Sequence, residues 1–70
     1  MKNITFIVED TNTGFSAYAE DEEINVATTG STLDELRENA LEAINLLQEH
    51  NGLIPYVIEN IILKQNDNII

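Results

Sequence analysis

Carboxylates are the residues that could do chemistry in this chain. Thirteen Asp and Glu stand against three Lys and Arg, for a net charge of −10, with one histidine and no cysteine. A nuclease working through two magnesium ions would need carboxylates converging from the middle of a sheet and a helix. Here the first strand offers them only at its end, as Glu9 and Asp10, and the last strand only as Glu59. A calcium loop would need its glycine at the sixth position, but Asp10-Thr11-Asn12-Thr13-Gly14 has it at the fifth, with Phe15 following. His50 stands alone between Glu49 and Asn51 near the end of an apparent helix. There an imidazole suits the carbonyl end of the helix dipole better than it suits catalysis. These patterns lead to the expectation of no enzyme, no metal and no cofactor.

The acidic residues have a second use. A surface of this sign repels phosphate backbones, so direct nucleic-acid binding is not expected. Two readings of the charge stay open: a well-hydrated surface, or steering toward a basic partner. Glu20, Asp21, Glu22 and Glu23 form one run. Glu35, Glu38 and Glu42, flanked by Asp34 and Glu49, form a stripe along the helix. Arg37 is the cation nearest that stripe. The spacings Asp34–Glu38 and Glu38–Glu42 put like charges one helical turn apart, which costs a few tenths of a kcal/mol each. These seven carboxylates (Glu20, Asp21, Glu22, Glu23, Glu35, Glu38 and Glu42) are the candidate partner-binding residues. Leu46, off the apolar stripe, is either incidental or an apolar anchor among them.

The helix that carries the stripe is the clearest element of the chain. Leu33, Leu36, Ala40, Ala43, Ile44 and Leu47 recur at helical spacing within residues 32–52. Thr32 followed by Glu35 makes a capping box, and Asn51-Gly52 supplies a left-handed stop. Ahead of it, Ile4, Phe6 and Val8 alternate with Thr5 and Ile7. Phe15, Ala17 and Ala19 alternate with Ser16 and Tyr18. The two runs read as a hairpin. Ile24, Val26 and Thr28 suggest a short third strand ending at Gly30. Residues 56–64, apolar on both alternating sets, read as a central strand, with a second helix as the competing possibility. Residues 65–70 are expected to be a flexible tail.

The resulting expectation is one α+β domain spanning 1–70, built βββαβ. Its sheet is four-stranded and mixed, in the order 3-2-1-4, with the helix on one face. The other face would carry Ile7, Tyr18, Ile58 and Ile62, an apolar set that invites a homodimer. At this size a single core leaves a thin margin of stability, which oligomerisation would widen. The start of the chain lacks the basic and apolar regions of a signal peptide, and the lack of cysteine suits the cytoplasm, which is the expected location.

The pattern resembles the HicB-like antitoxin superfamily over nearly the full chain. The resemblance lies in the D-x-x-x-G-F hairpin (Asp10 to Phe15), the FSAYAED strand, the acidic connection and a strand ending in glycine. After these, Gly30-Ser31-Thr32-Leu33-Asp34-Glu35 opens the helix. Glu22-Glu23-Ile24-Asn25 departs from the family's connection, having neither its proline nor its glycine. The resemblance implies a partial ribonuclease-H-like sheet with one helix. It also implies a domain that binds and blocks HicA, a small basic ribonuclease. Most members add a C-terminal DNA-binding domain, and this chain is expected to be a short form without one. Two further functions stay open: an orphan structural or regulatory homodimer, and an RNA-binding or nuclease remnant of the ribonuclease-H-like lineage.

Overall fold

In the computed structural model, which describes residues 2–70, alternation decides which side of each strand meets the helix. Strand β1 (Ile4–Asp10) buries Ile4, Phe6 and Val8, and β2 (Phe15–Ala19) buries Ala17 and Ala19. They pair antiparallel, with Phe6 opposite Ala19 and Val8 opposite Ala17. Strand β3 (Ala27–Gly30) pairs antiparallel with β2. Helix α1 (Leu33–His50) then leads to β4 (Ile61–Gln65), which lies parallel to β1, with Phe6 opposite Leu63. A further strand, β5 (Asn68–Ile69), pairs antiparallel with β4. The protein is α+β, with one helix on a five-stranded mixed sheet in the order β3-β2-β1-β4-β5.

The expected order of the first four strands is thus found, but the sheet has one strand more. Residues 65–70 are not a free tail. Asn66 and Asp67 both adopt positive φ, 52° and 66°, as a two-residue turn of the mirrored type requires, and Gln65 faces Asn68 across it. Asn and Asp tolerate that backbone region better than most side chains. Glycine tolerates it better still, so Asp67→Gly is expected to raise stability by up to ~1 kcal/mol. A lowered melting temperature in that variant would contradict this turn.

The last long strand is also shorter than its sequence suggests. Residues 58–60 form a 3-10 turn before β4 begins, so the alternation of 56–64 is interrupted. Val57 accordingly points outward, 57% exposed, while Ile61 and Leu63 are buried. What holds the connector ahead of that turn is a side chain on the helix. The Asn45 amide donates to the Tyr56 carbonyl at 2.9 Å and accepts from the Tyr56 N–H at 2.7 Å, replacing a strand neighbour. Gln48 donates to the Ile54 carbonyl at 2.8 Å.

Both helix ends are closed, the first with one departure from the expected capping box: the Glu35 carboxylate takes the N–H of Ser31 rather than that of Thr32. The Glu35 N–H donates to the Thr32 hydroxyl at 3.1 Å, and the Glu35 carboxylate accepts from the Ser31 N–H at 3.0 Å. At the other end Gly52, with φ 68°, lets the N–H groups of Gly52 and Leu53 reach the carbonyls of Glu49 and Gln48. Leu36, Ala40 and Ile44 are buried against the sheet, with Leu33, Leu41 and Leu47 packing at the margin. Two glycines let the helix start lie close to the hairpin. A Cβ on Gly14 would meet the Gly30 carbonyl oxygen at 2.5 Å, and one on Gly30 would meet the Leu36 nitrogen at 2.6 Å. The glycine of the hairpin and the glycine before the helix are therefore two halves of one close approach.

Candidate functional site

The carboxylates considered for metal chemistry do not converge. Glu59 lies in the 3-10 turn, next in sequence to Asn60, whose amide donates to the side chain of Asn3 just ahead of β1. Glu9 and Asp10 lie at the far end of β1, a strand of seven residues, so roughly 20 Å separates them from Glu59. Asp10 accepts from the Gln65 amide at 3.0 Å. Among the described residues no group of three or more His, Cys, Asp or Glu side chains is placed to hold a metal ion. The hairpin loop is closed by the Thr11 N–H donating to the Gly14 carbonyl at 2.9 Å. His50 is exposed in the last helical turn.

The seven partner candidates divide into groups with different surroundings. Glu20 forms an ion pair with Lys64 at 3.2 Å. Lys64 shares its register with Ile7, so this pair belongs to the sheet face away from the helix. Both partners are substantially exposed, which limits the pair to ~0–1 kcal/mol. Asp21 organises the acidic connection: its side chain accepts from the Glu23 N–H at 3.0 Å, and its carbonyl from the Ile24 N–H at 2.9 Å. Glu22 and Glu23 are exposed on that turn. Glu35 is engaged at the helix start, its carboxylate on the Ser31 N–H, and sits beside Gly30, at the opposite end of β3 from the connection. Glu38 and Glu42 are exposed on the outer helix face, together with Asp34 and Glu49.

Arg37 changes the character of that face. Its guanidinium turns inward and donates to the Ile61 carbonyl at 2.8 Å in a half-buried position. The cation nearest the stripe in sequence thus serves the junction of α1 with β4. With Lys64 on Glu20, two of the three basic side chains are engaged within the fold. The structure places Glu42 beside Leu46, 62% exposed, and both line a shallow groove with Thr28, Asn39 and Ala43. Asn39, which no spacing in the sequence singles out, donates to the Thr29 carbonyl at 2.8 Å.

The opposite sheet face holds three of the four residues expected there. Ile7 lies between Tyr18 and Lys64 in register, and Ile62 lies opposite Thr5. Ile58 does not join them, because the 3-10 turn takes it out of the ladder. Ile69, opposite Lys64, extends the row, 74% exposed, and Ala27 opposite Tyr18 completes it at the other edge. That Ile69 is part of this face follows from the turn at Asn66-Asp67, the one local signal that could have revealed it.

No family model, no curated protein and no solved structure matches this chain. Among the described residues no helix is long and apolar enough to cross a membrane.

Proposed function

We propose that this chain is a non-catalytic protein-interaction module of the HicB-like antitoxin kind, built on a partial ribonuclease-H-like sheet. Its role is to bind a small basic protein in the cytoplasm and neutralise or regulate it. The observation that carries this reading is the state of the outer helix face. Asp34, Glu38, Glu42 and Glu49 stand exposed there without a salt-bridge partner among the described residues, while Arg37 is turned inward. A stripe serving only helix stability would interleave cations at one-turn spacing. The resemblance in the glycines and the helix opening, Gly14-Phe15 and Gly30-Ser31-Thr32, supports the same reading, because the fold uses those residues to seat the helix. The test is co-expression with a short, lysine-rich product of an adjacent reading frame. A complex that weakens as salt rises is expected. No complex, or one indifferent to salt, would contradict the reading.

A homodimer is the second reading, favoured by the row Ala27, Tyr18, Ile7, Lys64 and Ile69 across all five strands. The Glu20–Lys64 pair offsets charge on this face, so two strongly acidic chains can meet there with less repulsion than elsewhere. Light scattering at micromolar concentration should give twice the chain mass, and Ile7→Lys should return it to the monomer. A monomer mass for the unmodified chain would contradict the dimer.

A further inference from the structure

Strand β3 is an edge of the sheet, and its outward hydrogen-bonding groups follow from its register. The Ala19 N–H donates to the Val26 carbonyl at 3.0 Å, which marks that position, next in register to Tyr18 and Ala27, as one where the two strands face each other with their hydrogen-bonding groups. With bonded and non-bonded pairs alternating, Thr28 is turned toward β2, while Ala27 and Thr29 direct their N–H and C=O groups away from it. The Asn39 amide on the Thr29 carbonyl agrees with this, since a helix side chain reaches that oxygen from outside the ladder. Three outward groups remain: the Ala27 N–H, the Ala27 carbonyl and the Thr29 N–H. Both residues are exposed.

Beneath this edge runs the flank of α1 that carries Asn39, Glu42, Ala43 and Leu46, bordering the outer face at Glu42. Thr28 lies opposite buried Ala17, hence on the helix side, and it lines the groove with Glu42 and Leu46. Glu38, Glu42 and Leu46 follow one another at four-residue spacing, a rise of about 6 Å per step along the helix. Side chains on one face of an extended strand repeat every ~6.6 Å. An added strand therefore keeps step with these three residues.

We infer that β3 and the outer face of α1 form a single docking site for an extended basic segment of the partner, added as an antiparallel sixth strand. This inference rests on the reading of the protein as a module for a basic partner, and it names how that partner is held. The incoming strand donates to the Ala27 carbonyl and accepts from the Ala27 and Thr29 N–H groups. On its helix side it carries two Lys or Arg residues toward Glu38 and Glu42, and one aliphatic residue toward Leu46. Charge selects this occupant over a second copy of the chain. A net charge of −10, with Glu38 and Glu42 at the rim, opposes self-pairing along this edge.

The test is amide-resolved NMR titration of the full chain. The probe is an acetylated and amidated peptide in which threonine alternates with lysine, lysine and leucine. The Ala27 and Thr29 amide resonances should shift on binding, with Thr28 changing less because its N–H already faces β2. Methylating the threonine nitrogens should weaken binding about tenfold or more, since they supply the ladder. Glu42→Lys and Leu46→Lys, both at exposed positions that leave the fold in place, should each weaken it several-fold. Equal binding by the methylated peptide, or shifts confined to residues 20–23, would overturn strand addition while leaving the basic-partner reading standing. So would binding of a lysine-rich protein by a chain that ignores the peptide. Shifts at Ala27 and Thr29 that follow protein concentration without peptide would assign the edge to a second copy and overturn the inference. Failure of the peptide and of lysine-rich proteins alike would remove both.

Discussion

Phe6→Ala should cost about 3–5 kcal/mol, the range for removing a fully buried aromatic. Phe6 is 0% exposed on the central strand, between Ala19 of β2 and Leu63 of β4, under the helix. Neither neighbouring strand can move in to refill the space without breaking its own pairing with β1, so most of the cavity should persist. A domain of this size has a total stability of about 3.5–10 kcal/mol by the usual per-residue figures. The loss is therefore a large share of the whole. Urea unfolding followed by far-ultraviolet circular dichroism should show a midpoint moved far toward zero denaturant, or no folded baseline. A shift worth less than ~1 kcal/mol would mean that the core does not centre on β1.

Gly30→Ala should be the next most damaging change, although it adds only a methyl group. The added carbon would stand 2.6 Å from the Leu36 nitrogen and 2.8 Å from its Cα. Both are backbone atoms of the first helical turn, so no side-chain rotation relieves the overlap. The helix start must lift from β3, disturbing the buried Leu36 and the Thr32 hydroxyl cap on the Glu35 N–H. Overpacking of this kind costs typically ~1–3 kcal/mol. Gly52→Ala is the control: nothing lies within 4 Å of its added carbon, so only the φ of 68° is penalised, at about 1–2 kcal/mol. Thermal unfolding of both variants separates the causes. In Gly30→Ala alone, the resonances of Ser31, Thr32 and Glu35 should move together, and their staying in place would contradict the close approach.

How much was readable in advance depended on whether the information was local. Helix α1 announced itself because its apolar period, its Thr32–Glu35 box and its Asn51-Gly52 stop all lie within the segment that folds. The β1–β2 hairpin was equally local. Residues 56–64 were different, because an apolar run on both alternating sets reads as a strand throughout. It is the Asn45 clip on Tyr56, eleven positions away, that holds the connector ahead of the 3-10 turn. Alternation alone puts Ile58 on the open sheet face, whereas the 3-10 turn takes it out of the ladder. Strand β5 has no signature in the sequence because two residues cannot show a period, and only Asn66-Asp67 marks the turn before it.

The candidate site divides along the same line. Glu38, Glu42 and Leu46 were legible from helical spacing alone, and the structure keeps them on one exposed face. Glu35 was legible as a cap from Thr32, so counting it among the partner residues asked one carboxylate to serve twice. The inward turn of Arg37 to Ile61, the pairing of Glu20 with Lys64 and the neighbourhood of Thr28 depend on residues far apart in the chain. No spacing rule could have shown them.

The acidic outer face of α1 as the surface that meets a basic partner is the central claim. Titration calorimetry of the chain with a co-expressed lysine-rich product tests it most directly, comparing the unmodified chain with Glu38→Lys/Glu42→Lys at two salt concentrations. Both substitutions lie at exposed positions, so circular dichroism should show the fold unchanged. The expected result is a complex that weakens with salt and loses about 100-fold or more in affinity on charge reversal, as close charge pairs across interfaces allow. Equal affinity for both chains at both salt concentrations would contradict it.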